Sequence, residues 1–119
     1  PLFPTSAQIA AMSPADLPMP RRRAAAVIEL ARRLATGDVH LDPGADWDEA
    51  ERALLEVPGI GPWTAKYIRM RSLGDPDVSL PTDLGIARAA RSRGLDPDDP
   101  RWKPWRSYAM HYLWNLGAT

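Results

Sequence analysis

The stretch Val57-Pro58-Gly59-Ile60-Gly61-Pro62 constrains this chain more than any other. An acid-rich amphipathic run ends at Val57, and a second run, Trp63-Thr64-Ala65-Lys66-Tyr67-Ile68-Arg69-Met70-Arg71-Ser72-Leu73, follows directly. Two glycines flanked by prolines let the backbone reverse sharply, with positive φ where the turn needs it. Pro62 suits the first position of a helix, where its missing N–H costs nothing. The stretch therefore predicts an αα-hairpin whose second helix turns unpaired N–H groups and a positive dipole end outward. With no side chain on the glycines to block approach, such an end can seat a phosphate. An ordinary tight helix–helix turn satisfies the same spacing.

Helical signals surround the hairpin. Thr5 or Ser6 can cap a short helix through Met12, and Ser13-Pro14 starts a second brief turn. Arg21 to Thr36 reads as a helix with Ala24, Val27, Ile28, Ala31 and Leu34 or Ala35 on one face, closed by Gly37. Asp46 caps a helix to Val57. Gly74-Asp75-Pro76-Asp77 is a turn, Val78 to Asp83 is extended, and a helix runs from Leu84 to Arg93. The last helix, Trp105 to Leu116, sets Trp105, Tyr108, Ala109, Tyr112, Leu113 and Leu116 on one stripe. Nothing alternates over enough residues to make a sheet, so the expected fold class is all-α.

A length of 119 residues suggests one domain, with five Trp and three Tyr as bulky packing material. The formal net charge is zero, so a nucleic-acid footprint must be a local patch. Basic residues gather at Arg21–Arg23, Lys66–Arg71, Arg88–Arg93 and Arg101–Arg106. No cysteine occurs, which excludes disulfides, thiolate metal sites and a cysteine nucleophile. No apolar run approaches the roughly 18 residues of a membrane span, and a cytoplasmic protein is expected. His40 and His111 lack a ligand-spaced partner, and the Asp96–Asp99 cluster reads as a turn. The chain starts at Pro1 rather than Met and reads as a piece of a longer protein.

Asp83 is the strongest candidate for chemistry. It stands at a helix mouth in Leu80-Pro81-Thr82-Asp83-Leu84-Gly85, where an aspartate caps the helix and stays ionised beside the positive dipole end. An anion so placed can also face a developing sugar cation during glycosidic cleavage.

From Leu54 to Ile86 the hairpin, its second helix and Leu-Pro-Thr-Asp-Leu-Gly resemble the core of the helix-hairpin-helix DNA glycosylases. Within that superfamily the likeness is closest to the 3-methyladenine DNA glycosylase II (AlkA-type) family, over its carboxy-terminal part. A second match is Trp102-Lys103-Pro104-Trp105-Arg106-Ser107-Tyr108-Ala109 followed by Trp114; a weaker one reaches back to Phe3-Pro4-Thr5 and the helix after Arg21. The resemblance implies a helix-hairpin-helix glycosylase domain across 1–119, incomplete on its amino-terminal side, with the hairpin at about 54–73. It puts Asp83 on the family's catalytic aspartate, and Trp63, Tyr67 and Trp114 on aromatic positions lining the base pocket. The carbonyls of Leu55, Val57 and Ile60 fall where the family holds a monovalent cation, Na+ or K+, beside a DNA phosphate. Gly59 and Gly61 fall where backbone N–H groups meet that phosphate. Trp63 stands where bifunctional relatives carry a lysine, which implies a monofunctional enzyme. Trp47, Trp102 and Trp105 read as core or structural residues.

The expected activity is hydrolysis of the N-glycosidic bond of alkylated bases such as 3-methyladenine in double-stranded DNA, with no catalytic cofactor. The resemblance also makes the missing amino-terminal portion a partner, as the source of the side chain that wedges into the duplex. The fragment alone is therefore expected to be weak or inactive. The rival from another class is a non-catalytic helix-hairpin-helix module that only docks on DNA phosphates; it has no use for Asp83 or for the three aromatics as a set.

Overall fold

Side-chain caps at Thr5, Asp46 and Asp83 start three of the helices in the computed structural model, which describes residues 4–117. Pro1, Leu2 and Phe3, where the weaker likeness begins, lie outside the described residues, as do Ala118 and Thr119. The helices are α1 (Ser6–Ala10), α2 (Arg21–Thr36), α3 (Trp47–Leu55), α4 (Pro62–Arg71), α5 (Leu84–Ser92) and α6 (Arg106–Gly117). Short 3-10 turns cover Pro14–Asp16 and Pro100–Trp102, and no strand occurs among the described residues. The all-α expectation holds. Among the described residues no helix is long and apolar enough to cross a membrane.

Thr5 and Gln8 form a reciprocal capping box at α1: Thr5 Oγ1 accepts from the Gln8 N–H at 3.2 Å, and Gln8 Oε1 accepts from the Thr5 N–H at 2.8 Å. Gly37 closes α2 at φ 85°, and Asp46 Oδ1 caps α3 by accepting from the Glu49 N–H at 3.0 Å. α3 stops at Leu55 rather than Val57. The Val57 N–H bonds the Leu54 carbonyl at 3.0 Å, a three-residue step that tightens the last turn and ends the helix early.

The chain divides into two compact units, Pro1–Ala65 and Lys66–Thr119, with the division inside α4. In the first, α1 and the Pro14–Asp16 turn pack on α2, and Ala24, Ala26, Ala31, Val39, Ala50, Leu54 and Val57 are buried. In the second, α5 packs on α6 around Met70, Val78, Leu80, Ile86, Ala89, Ala90, Met110 and Leu113. Tyr67, Trp102 and Trp114 lie partly buried against this core.

α6 faces the core differently from the expected stripe. Its buried residues are Ser107, Met110 and Leu113, whereas Trp105, Tyr108 and Tyr112 are 57%, 64% and 52% exposed. Apolar residues lie almost all round this helix, so periodicity alone cannot fix its rotation. Hydrogen bonding does. Ser107 Oγ donates to the Asp75 carbonyl at 2.7 Å and accepts from the Val78 N–H at 2.8 Å, satisfying two backbone groups and turning its own face inward. Of the tryptophans read as core or structural, Trp102 packs on the core, while Trp105 and Trp47 stand at the surface.

Candidate glycosylase site

Asp83 owes its position to the residues just before it. Pro81 favours an extended Leu80, and the buried Leu80 side chain anchors the segment in the core. The Asp83 N–H then closes a turn onto the Leu80 carbonyl at 3.1 Å. This leaves Asp83 extended (φ −63°, ψ 127°) at the mouth of α5. Its Oδ2 accepts from the Ile86 N–H at 3.0 Å and from the Trp114 indole N–H at 3.0 Å. Among the described residues, Oδ1 accepts no hydrogen bond. Asp83 is half-buried, so one oxygen is fixed by two donors while the other remains open to a ligand.

Trp114 is the hub of this arrangement. Tyr67 meets it edge-on, with ring centroids 5.8 Å apart and planes at 73°. His111, one helical turn back on α6, meets it at 5.5 Å and 68°. Both contacts have the edge-to-face geometry that aromatic quadrupoles favour. Tyr67, Asp83 and Trp114 are thus brought together within the second unit. Trp63 belongs to the first, on the opening turn of α4, where it is 40% exposed.

The hairpin glycines differ from one another. Gly59 has φ 92°, and a Cβ there would lie 2.8 Å from the Ala26 Cβ, so both backbone conformation and packing require glycine. Gly61 has no positive φ, and a Cβ there would meet nothing within 4 Å. The expectation of positive φ thus holds at Gly59 alone. The Gly61 carbonyl accepts from the Ala65 N–H at 3.0 Å and so opens α4. Of the three residues whose carbonyls were candidates for a cation, Leu55 is 43% exposed and Val57 is buried. Ile60 is half-buried, and its N–H already bonds the Val57 carbonyl at 3.1 Å.

Several arginines in the expected basic patches are neutralised within the chain. Arg69 Nε lies 2.6 Å from Asp75 Oδ2, Arg101 Nη2 2.7 Å from Asp99 Oδ2, and Arg106 Nε 2.6 Å from Asp77 Oδ1. The Arg106 hydrogen bonds hold the Asp77 carboxyl below the usual carboxylate range, and Asp77 in turn raises Arg106. Arg88, Arg91 and Arg93 carry no ion pair among the described residues.

No family model matches the chain. Individual proteins do. The chain is 43% identical to the probable bifunctional transcriptional activator/DNA repair enzyme AlkA of Mycobacterium tuberculosis, over 94% of this chain and 24% of that protein. It is 39% identical to DNA-3-methyladenine glycosylase 2 of Escherichia coli, over 94% of this chain and 42% of that one. The DNA-3-methyladenine glycosylase of Bacillus subtilis is 32% identical, over 97% and 43%. The chain is homologous to the carboxy-terminal part of AlkA-type DNA glycosylases. It spans less than half the length of each of these relatives. The all-helical architecture agrees with that kinship.

The sequence assigns no role to two members of the site, although Gly85 closes the Leu80–Gly85 motif. His111 carried no ligand spacing, and its ring packing on Trp114 follows only from its place on α6. The second is Gly85, whose missing side chain lies beside both Asp83 and Trp114.

Proposed function

We propose that this chain is part of a monofunctional DNA glycosylase that hydrolyses the N-glycosidic bond of alkylated bases such as 3-methyladenine in double-stranded DNA. The observation that carries the reading is the Asp83 carboxylate, fixed through one oxygen by a helix N–H and an indole N–H, with the other oxygen free. An N-alkylated purine is cationic and leaves readily. The bond from the sugar C1′ breaks with its electron pair passing to the base, and the sugar becomes oxocarbenium-like. The Asp83 carboxylate stabilises that cation, water adds at C1′, and its proton is lost to solvent. Tyr67 and Trp114 present electron-rich faces to the flipped cationic base, at roughly 0.5–2 kcal/mol per contact, and Trp63 occupies the remaining aromatic position of the family by resemblance.

At the hairpin, the Gly59 and Gly61 N–H groups receive a DNA phosphate. The Leu55, Val57 and Ile60 carbonyls hold Na+ or K+ beside it; a carbonyl already bonded once keeps a second lone pair for the cation. Because the chain spans less than half of each relative, the wedge that extrudes the base is assigned to sequence outside these 119 residues, which alone excise little. The protein acts in the cytoplasm, on chromosomal DNA. With Trp63 in the lysine position, no amine attacks the sugar, and borohydride traps no enzyme–DNA adduct.

The test is to incubate the full-length protein carrying this chain with methylated DNA and to measure free bases. Release of 3-methyladenine with abasic sites left behind is expected. DNA binding without release would replace this reading with the non-catalytic docking module.

A further inference from the structure

We propose that Gly85 is a positioning residue for the Asp83 carboxylate: its missing side chain leaves room for Oδ2 at the point where the Ile86 N–H and the Trp114 indole both hold it. Nothing in the fold otherwise asks for glycine there. Gly85 lies in the first turn of α5, is solvent-exposed and has no positive φ. Glycine inside a helix is a poor choice beside alanine, because the unfolded chain gains more freedom from it. What a Cβ would meet is informative. It would stand 3.3 Å from Asp83 Oδ2 and 3.8 Å from Trp114 Cδ1, the ring carbon next to the donating nitrogen.

A carbon–oxygen approach of 3.3 Å is closer than ordinary contact, so the oxygen must yield by a few tenths of an ångström. Oδ2 cannot yield freely, because the Ile86 N–H and the Trp114 Nε1–H each hold it at 3.0 Å. The Ile86 bond belongs to the helix cap and its donor is backbone. The indole sits on another helix and is the partner that gives way. The added methyl therefore stretches the Trp114–Asp83 bond and rotates the free Oδ1 out of line. This inference rests on the reading that Asp83 faces the sugar cation; the indole–carboxylate geometry itself does not.

The experiment uses the full-length protein with nitrogen-labelled tryptophan. Gly85→Ala is expected to move the Trp114 Nε1–H resonance away from its hydrogen-bonded position and to lower kcat for 3-methyladenine release about tenfold. KM for DNA stays unchanged, and the melting temperature is equal or higher because alanine suits a helix better. In a Trp114→Phe background, Gly85→Ala should lower kcat no further, since the bond it acts through is already gone. An unmoved indole resonance, or a kcat loss that persists in full in that background, would overturn the proposal. If the wild-type protein releases no base, the proposed function fails. The indole resonance then still decides whether Gly85 controls the Trp114–Asp83 bond.

Discussion

At the start of α5 the chain supplies its own anion; at the start of α4 it supplies none. Asp83 closes the first helix mouth, capping the Ile86 N–H, with the Trp114 indole holding the same oxygen. α4 opens on Gly61 and Pro62, with no acidic residue in its first turn and open space over Gly61. Both helices present the same positive dipole end. One uses it to fix a carboxylate in place, which suits a group meant to face a transient cation. The other has no acidic residue in its first turn, which suits an anion brought by a ligand. The two hairpin glycines divide along the same line: Gly59 is bare because the interior requires it, and Gly61 is bare towards solvent.

Asp83→Asn should break the first half of this comparison most severely. Asparagine keeps the cap and much of the shape but removes the negative charge. Base release by the full-length protein should fall on the order of 10²-fold or more, about 2.7 kcal/mol in barrier, with near-normal folding and DNA affinity. Excision at the wild-type rate would show that this carboxylate is a cap and nothing else.

Gly59→Ala should come next, as a loss of stability rather than of chemistry. The left-handed φ strains any L side chain, and the Cβ would stand 2.8 Å from the Ala26 Cβ. Strain and overpacking together should cost about 2–4 kcal/mol, read from denaturant midpoints. A double variant that also carries Ala26→Gly should recover the packing share and leave the conformational share. If Gly59→Ala melts like wild type, the hairpin does not hold the turn seen here.

These two positions also mark how far the sequence could be read. Asp83 as a cap, Asp46 as a cap and Gly37 as a helix stop were legible because each depends on neighbours three or four residues away. The rotation of α6 was not, because it hangs on Ser107 reaching the backbone of Asp75 and Val78 across 32 and 29 positions. The same distance hid the Trp114–Asp83 bond, whose partners are 31 residues apart, and with it the reason for Gly85. Basic patches read from sequence overstated the free charge, since Arg69, Arg101 and Arg106 each have an aspartate partner in the fold.

Arg106 and Asp77 lie beside the α6 start that fixes this rotation, and acid should expose their role. The folded Asp77 carboxyl titrates below its unfolded value because Arg106 hydrogen-bonds it. Its contribution is therefore fully present above the unfolded carboxylate range, near pH 4, and is lost as pH falls through the lower folded value. Asp77→Asn should destabilise by about 1–2 kcal/mol at neutral pH and flatten the decline in stability on acidification. An acid limb as steep as in wild type would mean that other carboxylates carry it.

Gly61→Val should have the smallest effect on the fold and the most specific effect on binding. Its backbone lies outside the left-handed region, and its Cβ would have open space, so stability should stay within about 0.5 kcal/mol. If the α4 mouth seats a phosphate, the branched side chain would crowd that anion and weaken one backbone N–H contact. A single hydrogen bond of this kind is worth about 1 kcal/mol, or roughly fivefold in affinity. The lost contact is to the DNA backbone, so methylated and undamaged duplexes should lose affinity alike. No protein charge is removed, so the salt dependence of binding should keep its slope, in contrast to loss of an arginine that touches phosphate. A loss confined to methylated DNA would move Gly61 from the phosphate to the base. Unchanged affinity for both duplexes would leave the open mouth of α4 as a turn with no ligand.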